Sequence, residues 1–160
     1  MTHQYLLVTF FHILIAILAL GTSAGLGIIL EFYGGDPTHG PFLLRAIGRI
    51  VAFFVLPGYV LMLLSGLWMV NLSWPTTRWI QAALGLWGMG FLMLSIFLVV
   101  LRKQLALFET EGPTSRSYQR ASLLGRGLGA GLGLVVVLIL YLMVLKPGTC
   151  FSVRLQAFRY

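Results

Sequence analysis

The sequence predicts an all-α membrane protein whose four transmembrane helices form an antiparallel up-down bundle. The first observation is composition, because 59% of the 160 residues are hydrophobic, only 9% are charged, and the mean hydropathy is +0.94. A soluble domain carries roughly 25% charged residues. The second observation is a set of four apolar runs without Asp, Glu, Lys or Arg, at 5–30, 50–70, 79–101 and 128–145. Each run meets or approaches the length of about 20 residues that a helix needs to cross a bilayer.

The same composition excludes several classes of protein. A soluble enzyme and a disordered tail are excluded by the low charged fraction, and a disulfide-stabilised scaffold by the single cysteine, Cys150. The formal charge of +7 lies in short segments beside the apolar runs, which indicates lipid headgroups as the partner and not nucleic acid. The first run is too long and lacks the basic start of a cleaved signal peptide, so we expect it to stay as a helix.

The connections predict one domain over 1–160, with spans at about 5–30, 45–70, 79–105 and 125–145. Glycines and prolines mark a turn over 31–41, and Pro41 suits the first turn of the second helix. Pro57 is expected to bend that helix. The third helix should continue past the membrane and stop at Gly112, after which Thr114 or Ser115 caps a helix that runs into the fourth span.

The distribution of basic residues predicts the orientation of the chain. The first and third loops, with the adjoining helix ends, carry seven Lys and Arg, whereas the opposite side carries four. The positive-inside rule therefore places these two loops in the cytoplasm and both termini in the periplasm of a bacterial inner membrane. Aromatic residues mark the outer ends of the spans, as in an interfacial belt: Tyr5, Trp68, Trp74, Trp79 and Tyr141.

Glycine is the most frequent special residue within the spans. Small residues four positions apart let helix backbones approach closely in lipid. Gly129 and Gly133 lie on one face of the fourth span, and Gly21 and Gly25 lie at the same depth in the first span. We therefore expect the first and fourth spans to cross closely there. These contact surfaces also favour self-association or binding to other membrane subunits.

His12 is the one ionisable group deep within a span, about 10 Å from its start at 1.5 Å per residue. Such groups are costly in a membrane and are often functional. One interpretation is ligation of haem iron or copper, with Met62 or Met89 as a second ligand. The alternative is a neutral imidazole that forms a hydrogen bond with a backbone carbonyl, Tyr59 or Ser65.

Several arginines lie where headgroups are expected. Arg45 and Arg49 are one turn apart at the entrance of the second span, and a second basic group follows in the third loop. They can bind an anionic headgroup or simply extend to the interface. The candidate headgroup contacts are Arg45, Arg49, Arg116, Arg120 and Arg126.

Three segments resemble a family of predicted bacterial integral membrane proteins of unknown function. They are YLLVTFFHILIAILALGTSAGLG at the start, RIVAFFVLPGYVLMLLSGLWMV in the second span and LYLMVLKPG near the end. The family in turn is distantly similar to the membrane domain of copper-resistance D proteins and to J-type protoporphyrinogen oxidases. That resemblance implies haem b bound through a histidine of the first helix, which is His12 here.

Two hypotheses on function follow. The first is a non-catalytic packing or accessory subunit of a larger inner-membrane complex, because no nucleophile or paired carboxylates suggest a reaction. The second is a haem b-binding redox or porphyrin-handling protein centred on His12.

Overall fold

The computed structural model describes residues 3–73 and 78–146, and within these ranges the chain forms four long apolar helices. Helix α1 covers His3–Tyr33, and the second span consists of α2 (Gly40–Ile50), a π-helical turn (Val51–Val55) and α3 (Leu56–Ser73). Helices α4 (Arg78–Glu111) and α5 (Arg116–Leu145) follow within the described residues. The predicted all-α membrane fold is confirmed. The helices extend beyond the predicted spans, because their polar ends continue past the apolar runs.

Pro57 interrupts the regular pattern of the second span. A proline lacks the N–H that an α-helix needs, and its ring crowds the preceding turn. The structure has a π-helical turn directly before it, in which the Leu56 N–H donates to the Val51 carbonyl five residues back. Such insertions are a recognised cause of local distortion in helices.

The loop between α1 and α2 is a compact turn built around Asp36. The backbone N–H groups of His39 and Thr38 donate to Asp36 Oδ1 at 3.1 and 2.7 Å. These hydrogen bonds hold the pKa of the exposed Asp36 carboxyl below its usual value. Helix α2 then begins with Pro41 in its first turn, as predicted.

The connection between α4 and α5 also matches the prediction. Helix α4 ends at Glu111, and Gly112 follows with φ of 80°, a left-handed conformation that glycine adopts without strain. The Ser115 side chain accepts a hydrogen bond from the Tyr118 backbone N–H at 3.1 Å and so caps α5. Of the two predicted caps, Ser115 is the one used.

The helices pack mainly as two pairs, α1 with α3 and α4 with α5, and α2 packs on α4. The buried hydrophobic core joins the second span to α4 and the start of α5. It consists of Leu44, Ile47, Val51, Val55, Tyr59, Leu94, Leu101, Phe108 and Tyr118. Many large apolar side chains point outward, including Phe53 at 82% exposure and Phe32 at 77%. An outer surface of this kind suits a protein surrounded by lipid.

Candidate functional site

The glycines of α1 and α5 do not form the predicted close crossing. A Cβ atom added at Gly21, Gly25, Gly129 or Gly133 would meet no atom within 4 Å apart from the nearby backbone of its own helix. Helices α1 and α5 touch over only a few residues, because α1 packs on α3 and α5 packs on α4. The expectation of direct contact at these glycines is therefore wrong within the described chain. Small residues permit the close approach of another helix, but they do not determine which helix packs against them.

An open groove lies between α1 and α5 instead, with a volume of about 920 Å³. Residues 20–35 line one side and residues 118–136 the other, while side chains of the second span and α4 form the floor. The volume is within the range of roughly 300–1,000 Å³ that is typical of small-molecule sites. We call this feature the α1–α5 groove.

Polar contacts join α1 to α5 at the loop end of the groove. Arg126 Nε lies 2.9 Å from Glu31 Oε2, and both side chains are about half exposed. The Tyr118 hydroxyl donates to the Gly34 carbonyl at 2.7 Å in a buried contact. Because these contacts connect the first loop to the helix after the third loop, both loops lie at the same end of the bundle.

Gln104 of α4 also lines this end of the groove. Its side chain is 2% exposed, and its Oε1 atom has no hydrogen-bond partner among the described residues. Gly125 lies next to the amide, and an added Cβ atom there would make only ordinary contact with Oε1, at 3.6 Å. Buried amide oxygens nearly always accept a hydrogen bond.

The groove becomes apolar toward the middle of the bundle. Gly129 and Gly133 of α5 line this part, as do Leu20 and Ala24 of α1 and Val55 of the second span. The groove thus has a polar end near the loops and an apolar end near the centre of the predicted bilayer.

His12 lies elsewhere, in the contact between α1 and α3. Its Nδ1 atom is 2.7 Å from Ser65 Oγ, and the Ser65 hydroxyl is also 2.8 Å from the Leu61 carbonyl. If the hydroxyl donates to that carbonyl, its oxygen accepts from His12 Nδ1–H. Ser65 is one of the three hydrogen-bond partners of His12 that the sequence left open.

The surroundings of His12 do not fit a haem group. The residue is 9% exposed, its Cε1 atom is packed against Gly66, and it does not line the α1–α5 groove. Haem ligation needs an open slot beside the ring, whereas Ser65 and Gly66 of α3 lie against its Nδ1 and Cε1 atoms. Met62 is buried one turn before Ser65, and its backbone carbonyl lies 3.1 Å from Ser65 Oγ. Met89 is 46% exposed on α4. The described residues contain no group of three His, Cys, Asp or Glu side chains that could hold a metal ion.

The five candidate headgroup arginines fall into two classes. Arg45 forms an ion pair with Glu109 that joins α2 to α4, and Arg126 forms the pair with Glu31. The other three are exposed at the same end of the bundle: Arg49, Arg116 and Arg120. Arg49 also lines a smaller cleft of about 200 Å³ together with Arg45 and Arg102. Their contact with lipid headgroups stays a prediction.

The close approaches that the sequence did not reveal involve other glycines. Gly58 faces Ala19, where an added Cβ atom would lie 3.0 Å from that of Ala19, and Gly66 faces His12. At Gly90 an added Cβ atom would overlap the Tyr59 hydroxyl. Gln104 was also missed, although an amide between apolar residues near a helix end is a recognisable signal.

These features define an integral membrane protein with four candidate transmembrane helices and a groove that opens between the first and the last. The chain belongs to the family described as predicted integral membrane protein (DUF2269), which matches residues 6–147. No curated protein and no solved structure matches the chain.

Proposed function

We propose that this protein is a non-catalytic protein of the bacterial inner membrane that holds an amphipathic lipid in the α1–α5 groove. The observation that carries the proposal is the polarity gradient of the groove. Its loop end carries charged and polar side chains, including Glu31, Arg126 and Gln104. The remainder is lined mainly by glycines and by aliphatic and aromatic side chains, with Ser23 and Tyr59 as its polar residues. A lipid has the same gradient, with a polar headgroup at the interface and hydrocarbon toward the bilayer centre.

The contacts at the loop end favour a lipid over a transmembrane helix as the occupant. A helix is about 10–12 Å wide with its side chains and would need an open channel along the full depth of the membrane. The Glu31–Arg126 and Tyr118–Gly34 contacts join α1 and α5 at one end. A flexible acyl chain needs only the opening toward the bilayer centre.

The groove's titratable groups support a binding role over a catalytic one. Acid–base catalysis needs a group free to exchange a proton with the substrate. Glu31 is paired with Arg126, and the Tyr118 hydroxyl donates to Gly34. We propose an accessory or packing role within a larger membrane complex, in which the bound lipid fills the space between α1 and α5.

We further propose that both termini face the periplasm, which places the groove in the cytoplasmic leaflet. The support is the excess of basic residues at the end that carries the first and third loops. The exposed Trp68 and Tyr141 at the opposite end suit an interfacial belt.

The proposal is tested by filling the groove. Lipid is extracted from protein purified in mild detergent, and the amount of lipid retained per protein molecule is quantified by mass spectrometry. We expect stoichiometric lipid with the wild type, and its loss in Gly129→Leu and Gly133→Leu, because leucine there occupies the groove.

Gly88→Leu is the matched control. Gly88 is also a helical glycine with no atom within 4 Å of its Cβ position, but it lies outside the groove, so this variant should retain lipid. The proposal fails if the wild type retains no lipid, or if all three variants retain as much as the wild type.

A further inference from the structure

The buried amide of Gln104 identifies the chemistry that the groove's occupant must offer. Gln104 Oε1 is an acceptor without a partner among the described residues, in a side chain that is 2% exposed and lines the groove. A buried acceptor is costly when it stays unpaired, so a bound molecule that donates a hydrogen bond is favoured there.

The amide has the freedom to meet such a donor. Gly125 opposite it has no side chain, and even an added Cβ atom would make only ordinary contact at 3.6 Å. The terminal torsion of glutamine has a broad profile, so the amide can rotate without a change of the helix.

The charges beside Gln104 define the rest of the headgroup. Arg126 follows Gly125 on α5, and Glu31 faces it from α1 at 2.9 Å. The pair is neutral overall, so a zwitterionic headgroup complements it on both sides. A purely anionic headgroup would have to approach Arg126 against the repulsion of Glu31.

We propose that the α1–α5 groove selects phospholipids whose headgroup carries both a phosphate and an N–H donor, the chemistry of phosphatidylethanolamine. The ammonium donates to Gln104 Oε1 and lies near Glu31, while the phosphate accepts from Arg126. This inference rests on the proposed function, because it names the class of lipid that the groove holds.

The N-methylation series of phosphatidylethanolamine is the sharpest test. Its four members keep the same phosphate, charge and acyl chains, while the N–H donors disappear stepwise until phosphatidylcholine has none. Delipidated full-length protein is titrated with each lipid in detergent micelles, and binding is followed by the rise in melting temperature. The wild type should bind phosphatidylcholine roughly tenfold more weakly than phosphatidylethanolamine, which is the loss of about one hydrogen bond with a charged donor.

Gln104→Leu should remove this discrimination, so that all four lipids bind about as weakly as phosphatidylcholine binds the wild type. Gln81→Leu is the control, because Gln81 is an exposed residue near the other end of α4 and its variant should discriminate like the wild type. Should Gln104→Leu fold poorly, Gln104→Glu gives a second measurement. Its carboxylate keeps the acceptor and should preserve the preference for N–H donors.

Two results would overturn the inference. One is equal binding of all four lipids by the wild type, and the other is unchanged discrimination in Gln104→Leu. Stronger binding of phosphatidylglycerol than of phosphatidylethanolamine would show selection by negative charge and would also refute it. In each case the lipid-holding role stands if Gly129→Leu still displaces lipid, whereas failure of all lipids to bind the wild type refutes both proposals.

Discussion

The imidazole of His12 and the hydroxyl of Ser65 lie 2.7 Å apart, and this hydrogen bond joins α1 to α3 inside the predicted membrane. Gly66, next to Ser65, gives the imidazole its space, since an added Cβ atom there would lie 3.4 Å from His12 Cε1. Further along the same contact, Ala19 packs on Gly58. The cost of placing a polar side chain in a membrane helix is thus offset by a hydrogen bond to a specific partner on the neighbouring helix.

We expect His12 and Ser65 to be energetically coupled. In a double-mutant cycle of His12→Phe and Ser65→Ala, the coupling free energy should be about 0.6 kcal/mol, the average measured for hydrogen bonds between membrane helices, and at most about 1.7 kcal/mol. Unfolding in mixed micelles measures it. Thr110→Val with Ser65→Ala provides the control, because Thr110 donates to the Ala106 carbonyl on its own helix at the loop end of α4. The effects of these two substitutions on the free energy of unfolding should be additive.

Coupling within error of zero would show that the hydrogen bond contributes nothing to stability. The same variants also test the haem hypothesis, since protein from haem-supplemented cells should show no Soret absorption that depends on His12. A Soret band lost in His12→Phe would contradict the packed environment described above.

Gly90 should tolerate no side chain while Tyr59 is present. A Cβ atom at Gly90 overlaps the Tyr59 hydroxyl and lies 3.3 Å from Val135 Cγ1. Tyr59 cannot move aside easily, because its ring stacks on Trp87 at 5.3 Å and Trp87 Nε1 donates to its carbonyl at 3.2 Å. Gly90→Ala should therefore lower the free energy of unfolding by about 1–3 kcal/mol.

Gly88→Ala is the matched comparison for Gly90→Ala, because the Cβ position of Gly88 is open. The free energy of unfolding of Gly88→Ala should equal that of the wild type or be slightly higher. Removing the Tyr59 hydroxyl with Tyr59→Phe should rescue most of the loss at Gly90. If Gly90→Ala is as stable as Gly88→Ala, the contact between Tyr59 of α3 and Gly90 of α4 is not as described.

The sequence predicts most of the fold because the membrane imposes simple rules. Apolar runs of sufficient length indicate spans, and glycine, proline and serine mark their ends, as Gly112 and Ser115 show. Helix pairing was not predictable in the same way. Gly129 and Gly90 look alike in the sequence, yet only Gly90 is covered by another side chain. Which face of a membrane helix is buried depends on all its neighbours together.

The candidate site was less predictable than the fold. His12 attracted attention because it is ionisable, and the structure gives it a local partner in Ser65. The α1–α5 groove arises because α1 and α5 make few contacts apart from those at the loop end, and no single residue encodes that separation. Gln104 becomes informative only once its surroundings are known, because an amide near a helix end could equally have reached the interface.

The Ser115 cap should contribute measurably to stability. Its side chain accepts from the Tyr118 N–H at 3.1 Å at the start of α5, where backbone N–H groups have no partner within the helix. Ser115→Ala should lower the free energy of unfolding by about 1 kcal/mol. Thr114→Ala removes the neighbouring hydroxyl, which is outside this cap, and should have little effect. Equal effects of the two variants would contradict the assigned cap.

The proposed orientation predicts opposite labelling at the two ends of the bundle. Cys150 lies outside the described residues but follows α5, which ends at Leu145, so it should face the periplasm. A membrane-impermeant maleimide should label it in intact spheroplasts. In a Cys150→Ser background, Thr38→Cys in the exposed first loop should label only after permeabilisation. Denatured protein must label fully in both cases. The reverse pattern would place both termini in the cytoplasm and the α1–α5 groove in the outer leaflet, because the Tyr118–Gly34 contact fixes both loops at one end.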